Sequence, residues 1–166
     1  MRAMLLDSPA PAARSPLRLI ERDDPAPGPG ELLLAVSACG VCRTDLQLAE
    51  GDLAARRLPL IPGHQAVGRV AAIGAGVEGW TAENRAGVAW LASTCGACRH
   101  CTAGRENLRE HATFTGWDRD GGYATRMTVR ADFAHRLPGG FGDLDAAPLL
   151  CGGVIGYRSL RVSGIQ

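Results

Sequence analysis

The chain has 166 residues, 46% hydrophobic and 21% charged, with a formal net charge of +1, which is enough sequence for one domain with a sizeable buried core. Its basic residues are scattered arginines with no lysine, so no concentrated positive field exists to draw a nucleic acid or an anionic membrane surface. No stretch approaches the roughly 20 apolar residues of a membrane span, and Met1 to Pro9 holds too short an apolar run for a signal-peptide core, so the six cysteines are expected as reduced thiols or metal ligands in a cytoplasmic protein.

Leu17 to Ile20 and Leu32 to Val36 read as short strands. Between them Asp24-Pro25-Ala26-Pro27-Gly28-Pro29-Gly30 can sit in neither a helix nor a central strand, so it is a turn-rich connection. The second strand delivers Cys39-Gly40-Val41-Cys42-Arg43-Thr44-Asp45 onto a bend, with a thiol, a hydroxyl and a carboxylate close together. Leu46, Leu48 and Leu53 then predict a short helix broken near Gly51. Ala66 to Ile73 reads as a buried strand, and Gly87 to Leu91 as another.

Gly74-Ala75-Gly76-Val77-Glu78-Gly79 matches the dinucleotide-binding fingerprint letter for letter. That motif works by opening a helix onto a pyrophosphate, and here Asn84, Arg85 and Gly87 arrive before a full helix could form. An ordinary glycine turn is the expectation. Cys95-Gly96-Ala97-Cys98-Arg99-His100-Cys101 has the spacing of half or more of a tetrahedral zinc site. Tyr123 to Val129 is strand-like, and Arg136 to Gly140 marks a turn. From Asp143, a candidate helix cap, Leu144, Ala147, Leu150, Val154 and Ile155 fall near helical spacing, and Tyr157 to Val162 continue it past Gly152-Gly153. Short strands separated by turns argue for an antiparallel, barrel-like β domain.

A soft divalent ion takes Cys sulfur and His nitrogen, and a catalytic zinc uses three protein ligands while keeping a fourth position open. Cys42, His64 of Pro62-Gly63-His64-Gln65, and Cys151 of Leu149-Leu150-Cys151-Gly152 are the candidates. The cysteines have a plainer alternative, a buried inert thiol for Cys42 or a thiol packed in an apolar helix for Cys151, while the Gly before His64 and the strand after it favour a ligand. Cys39 is expected as a small packed apolar side chain.

The Cys-Arg-Thr-Asp segment, the Gly-His segment, the Cys95 to Cys101 run, Gly121-Gly122-Tyr123-Ala124 and the late Leu-Leu-Cys stand in one order. In that order the chain resembles the zinc-dependent medium-chain alcohol dehydrogenases, from Met1 to about Leu160. The resemblance implies their N-terminal, GroES-like catalytic domain over residues 1–160, mainly β with a few short helices in a partly open barrel. Residues 161–166 would begin the linker to a nucleotide-binding Rossmann domain absent from this chain. It further implies a catalytic zinc on Cys42, His64 and Cys151, Thr44 accepting a hydrogen bond from the alcohol, and Asp45 holding the other ring nitrogen of His64. Arg43 would meet the pyrophosphate of NAD or NADP, and Leu53 and Trp90 would wall the pocket of a small alcohol or aldehyde.

Residues 95–111 would form the structural-zinc lobe, on Cys95, Cys98 and Cys101. The fourth cysteine of the family is here Arg109, which cannot bind a cation; His111 could replace it if the loop shifts, and a metal-free lobe is the alternative. Gln47 and Gln65 replace a relay histidine and a glutamate beside the zinc, and Asn84 a turn aspartate. The implied activity is hydride transfer between an alcohol and a nicotinamide; the rival is a truncated, non-catalytic zinc-binding relic of the same fold. Leu149, Val154 and Ile155 would be left uncovered on the late helix, inviting self-association into homo-oligomers.

Overall fold

The computed structural model describes residues 1–165. Nine short strands run through it: β1 (Arg2–Leu6), β2 (Leu17–Glu21), β3 (Glu31–Cys39), β4 (Ala66–Ile73), β5 (Arg85–Val88), β6 (Leu91–Ser93), β7 (Thr113–Phe114), β8 (Arg126–Arg130) and β9 (Ala134–Arg136). Three helices join them: α1 (Arg43–Glu50), α2 (Asp143–Ala146) and α3 (Gly152–Ser163). β3 is the organising strand, pairing antiparallel with β4 on one edge and β8 on the other in a five-stranded sheet of order β8-β3-β4-β5-β9. Leu32 and Leu34 of β3 are fully buried among Val70, Ala86, Val88, Met127 and Val129 of the neighbouring strands. Every second residue of a pleated strand faces the same side, so one face of this sheet becomes the core.

The ladder slips twice, between Leu33 and Leu34 and between Val36 and Ala38. Each slip adds local twist, which curls the sheet into a half-barrel. Gly68 sits opposite Val36 inside that curl, where a Cβ would lie 2.4 Å from the Ala35 carbonyl oxygen; only glycine allows β3 and β4 to approach there. The architecture is mainly β with a few short helices in a partly open barrel, as the motifs implied.

Several expectations shift in detail. Met1 to Pro9 contains β1, which pairs in register with β2 from Arg2 opposite Glu21 to Leu6 opposite Leu17. The predicted strand Gly87 to Leu91 is two strands, because the ladder stops at Val88 and resumes at Leu91. The break leaves Trp90 out of the sheet. Tyr123 also precedes its strand, with β8 starting at Arg126 and Ala124 making only an isolated bridge to Ala3. α1 begins at Arg43, not after Asp45, and ends at Gly51 with φ 91°.

Asp143 is not a cap: Gly142 holds that position, and the Asp143 carboxylate turns instead to Ser37 and Arg85. The single late helix is three pieces, α2, a 3-10 turn over Ala147–Leu150, and α3, separated by the bent backbone of Cys151. The glycine fingerprint is a turn, with Gly76 and Gly79 both at φ 75° and no helix after them. Of the expected linker, residues 161–163 form the last turn of α3, and Gln166 lies outside the described residues.

Candidate metal centre

Three segments meet where β3 ends. Cys42 caps the N-terminus of α1, His64 lies two residues before β4, and Cys151 occupies the bend before α3. Their ligand atoms all lie within 4.8 Å of one another, with Cys42 Sγ 3.9 Å from Cys151 Sγ. Two sulfurs and one nitrogen at this spacing fit a soft divalent ion. His64 is 1% exposed while both cysteines are half-buried, so one side of the group faces outward.

Asp45 holds the triad together. As the third residue of α1 its carboxylate reaches back to the Cys42 N–H (Oδ2, 2.9 Å), the reciprocal half of a capping box. Its Oδ1 accepts from the Gly63 N–H at 3.2 Å and faces His64 Nδ1 at 3.1 Å. Tyr123 Oη donates to Oδ2 at 3.0 Å. A carboxylate only accepts, so Nδ1 carries the hydrogen and Nε2 keeps its lone pair for the sulfurs' side. Gly63 has φ 96°, and a Cβ there would stand 2.6 Å from Tyr123 Cδ1, so this turn requires glycine.

Burial pushes the His64 imidazole down, but Asp45 and the Cys42 sulfur outweigh it and hold its pKa above the ordinary value. For Cys42, burial is likewise outweighed by the Thr44 amide and hydroxyl, with Cys151 and His64 helping, and its thiol sits below the usual range. Cys151 is pushed up to about 11, by burial first and then by the charge on Cys42. Of the two sulfurs, Cys42 is therefore the one that gives up its proton more readily. Cys39, pushed up to about 12 by burial, is the packed thiol expected of it. Tyr123 is raised by burial and by Asp45, so it remains a phenol and a donor.

Thr44 Oγ1 lies 3.8 Å from Cys42 Sγ, and Arg43 is exposed at the first position of α1. Trp90 meets His64 edge-on at 4.8 Å and stacks on Phe114 (5.1 Å) and Trp117 (5.7 Å). Leu53 is half-buried, one residue before the Ala54 carbonyl that accepts the Trp117 indole N–H. Phe114, Trp117 and the Tyr123 hydroxyl were not singled out in the sequence. The Gly121-Gly122-Tyr123-Ala124 motif marked Tyr123, but nothing local reveals that its ring crosses to α1.

The second cysteine group lies in the loop between β6 and β7. Cys95, Cys98 and Cys101 also converge within 4.8 Å, and among the described residues no histidine or acid joins them. The expected substitute, His111, is not in the group. Arg109 is half-buried with its Nε lacking a partner. A closed four-ligand zinc site does not fit these residues.

Residues 28–139 match the model of the alcohol dehydrogenase GroES-like domain. The chain is 51% identical over 165 residues to the probable alcohol dehydrogenase AdhA of Mycobacterium tuberculosis, covering 96% of this chain and 48% of that protein. It superposes on the cobalt- and zinc-bound thermostable alcohol dehydrogenase of Pyrobaculum aerophilum with a TM-score of 0.85 at 32% identity, over 95% of this chain and 48% of that one. For the acetophenone reductase of Geotrichum candidum, in complex with NAD, the TM-score is 0.86 at 28% identity, over 99% and 48%. The chain spans about half the length of the curated relatives it matches. With its half-barrel and its matched stretch covering most of the sequence, this chain belongs to the alcohol dehydrogenase GroES-like domain family.

Proposed function

We propose that this domain is the metal- and substrate-binding half of a zinc-dependent alcohol dehydrogenase, interconverting a small alcohol and its aldehyde or ketone. The observation that carries the reading is the convergence of Cys42, His64 and Cys151 within 4.8 Å, with Asp45 fixing the imidazole from behind. Zinc on these ligands would supply a Lewis acid that favours loss of an alcohol's proton near neutral pH. Asp45 keeps His64 in the Nδ1–H tautomer and the correct orientation. Thr44 Oγ1, beside Cys42, would accept a hydrogen bond from the substrate hydroxyl and start the proton's exit, releasing its own hydroxyl proton outward as it takes the substrate's. Gln47 has no basic site at neutral pH, so that proton ends in solvent. Trp90 gives the pocket an apolar wall that excludes water near the reacting carbon.

The hydride acceptor is proposed to be NAD or NADP, as the NAD complex of the structural relative suggests, held by a nucleotide-binding half of the family's kind. Arg43, which is exposed, would meet its pyrophosphate. The uncovered face of α3 is where that half, or in its absence a second copy of this domain, would pack. The missing fourth donor of the cysteine lobe favours a second reading, a non-catalytic relic that still binds one zinc.

Fusing the chain to the C-terminal half of the 51%-identical relative tests both readings. The expected result is about one tightly held zinc per chain and alcohol-dependent reduction of NAD or NADP, both lost in Cys42→Ser. A folded fusion that takes up no zinc refutes the metal site, and a zinc-loaded fusion without turnover leaves the relic.

A further inference from the structure

The cysteine lobe offers sulfur chemistry in place of a closed metal site. Cys101 Sγ lies 3.9 Å from Cys95 Sγ and 3.5 Å from Cys98 Sγ. The three thiols differ in access: Cys95 is exposed, Cys98 half-buried and Cys101 buried. An open cavity of about 470 Å³ beside them is lined by Cys95 and Cys101, with Thr94, Glu106 and Arg130, but not by Cys98. Gly96, in the segment that connects them, sits at φ 67° with nothing within 4 Å of where a Cβ would stand, so no packed neighbour pins that turn.

We propose that Cys95 and Cys101 are a redox-modifiable pair, oxidised to an intramolecular disulfide by a small-molecule disulfide of the glutathione type that enters this cavity. Cys95, as thiolate, attacks one sulfur of the incoming disulfide, forming a mixed disulfide and expelling one small thiolate. Cys101, as thiolate, then attacks the Cys95 sulfur, and the second small thiolate leaves. Two electrons pass from the protein sulfurs to the small disulfide, and the two protons of the protein thiols end on the two reduced small thiols. Access selects Cys95 for entry, since Cys95 is exposed whereas Cys101, although it lines the cavity, is buried. Proximity selects Cys101 for the second step, since it is the sulfur within 3.9 Å of Cys95. A disulfide needs about 2.05 Å between sulfurs, a closure that side-chain rotation and the Gly96 turn can supply. Oxidation spends two of the three sulfurs, so the oxidised lobe holds no metal.

The test uses the whole chain, treated with a chelator and equilibrated in glutathione buffers of rising oxidised-to-reduced ratio, then alkylated and mapped by mass spectrometry. Arg99 puts Cys101 on a different tryptic peptide from Cys95 and Cys98, so a link is directly visible. Two alkylatable thiols should disappear, a Cys95–Cys101 link should appear, and dithiothreitol should reverse both. Cys101→Ser should stop at a stable glutathione adduct on Cys95, and Cys95→Ser should slow oxidation of the lobe by at least about tenfold. Cys98→Ser should still form the link, which shows that the lobe tolerates substitution. A link mapped to Cys98–Cys101 or Cys42–Cys151 overturns the proposal. So does a lobe that keeps all three thiols, or a second zinc that survives the chelator and blocks oxidation.

Discussion

Asp45 serves both the backbone and the metal group: one carboxylate takes the N–H groups of Cys42 and Gly63, the Tyr123 hydroxyl, and the ring of His64. Asp45→Asn keeps the size but removes the charge and leaves one donor facing another donor. Zinc affinity should fall about 10- to 100-fold, read by competition with a chelator; unchanged affinity would remove Asp45 from the site. Tyr123→Phe deletes one of the four contacts and should cost about 1 kcal/mol in urea unfolding. Gly63→Ala should cost more, about 3 kcal/mol, because its φ of 96° strains any side chain and the new Cβ meets Tyr123. Pairing it with Tyr123→Ala should recover little, since the Tyr123 backbone N is itself 2.9 Å from that Cβ. At this scale the sequence was readable where ligands and partners share a short segment, as in Cys42 to Asp45. It was unreadable where the partner comes from another segment: the Tyr123 contact exists because Tyr123 N–H donates to the Pro62 carbonyl and lays the two loops side by side.

The elements were legible where their period was clean. β3 and β4 carry long apolar runs buried in the sheet, and α1 ends on a glycine that only a left-handed cap requires. β7, with two residues, and β6, with three, are too short for any periodic signal. α2 shows the same limit: it is four residues long, and what fixes its start lies on other strands. Asp143 accepts from Ser37 Oγ at 2.6 Å on β3 and from Arg85 Nε at 2.6 Å on β5, while Ala146 and Ala147 pack on Ala38 and Val67. The Ser37 hydroxyl, opposed by some burial and aided by the Arg85 guanidinium, holds the Asp143 carboxyl below its ordinary value of 3.8. A depressed carboxylate pKa stabilises the fold above the unfolded value and loses that contribution as pH falls through the folded one. Asp143→Asn should therefore cost about 1–2 kcal/mol at pH 7, the side chain being partly exposed. The difference from the parent chain should start to shrink as pH drops below about 4 and vanish only once pH is below the lowered folded value. Urea midpoints across that range decide it; a constant difference at all pH would mean packing, not charge, is at work.

For the molecule as a whole, the late helix is the part the half-barrel does not account for. α3 is 12 residues long and has no buried residue: Ile155 is 61% exposed, Leu160 57% and Val162 71%. Helices of this length are marginal in water without tertiary packing, so α3 draws its stability from whatever covers it. The sequence signalled this through the apolar residues from Leu149 to Val162, but could not say which face the barrel leaves bare, because only packing decides it. In the family's longer relatives more chain is available to cover this face; alone, the domain has only itself. The chain should therefore self-associate as its concentration rises, with helical circular dichroism growing in step. Ile155 and Val162 lie seven residues apart on one face, so Ile155→Glu with Val162→Glu should abolish both effects while leaving the urea midpoint of the barrel unchanged. Sedimentation velocity over a hundredfold range of concentration reads the outcome. A monomer throughout, with α3 fully helical, would mean that the helix stands without a partner.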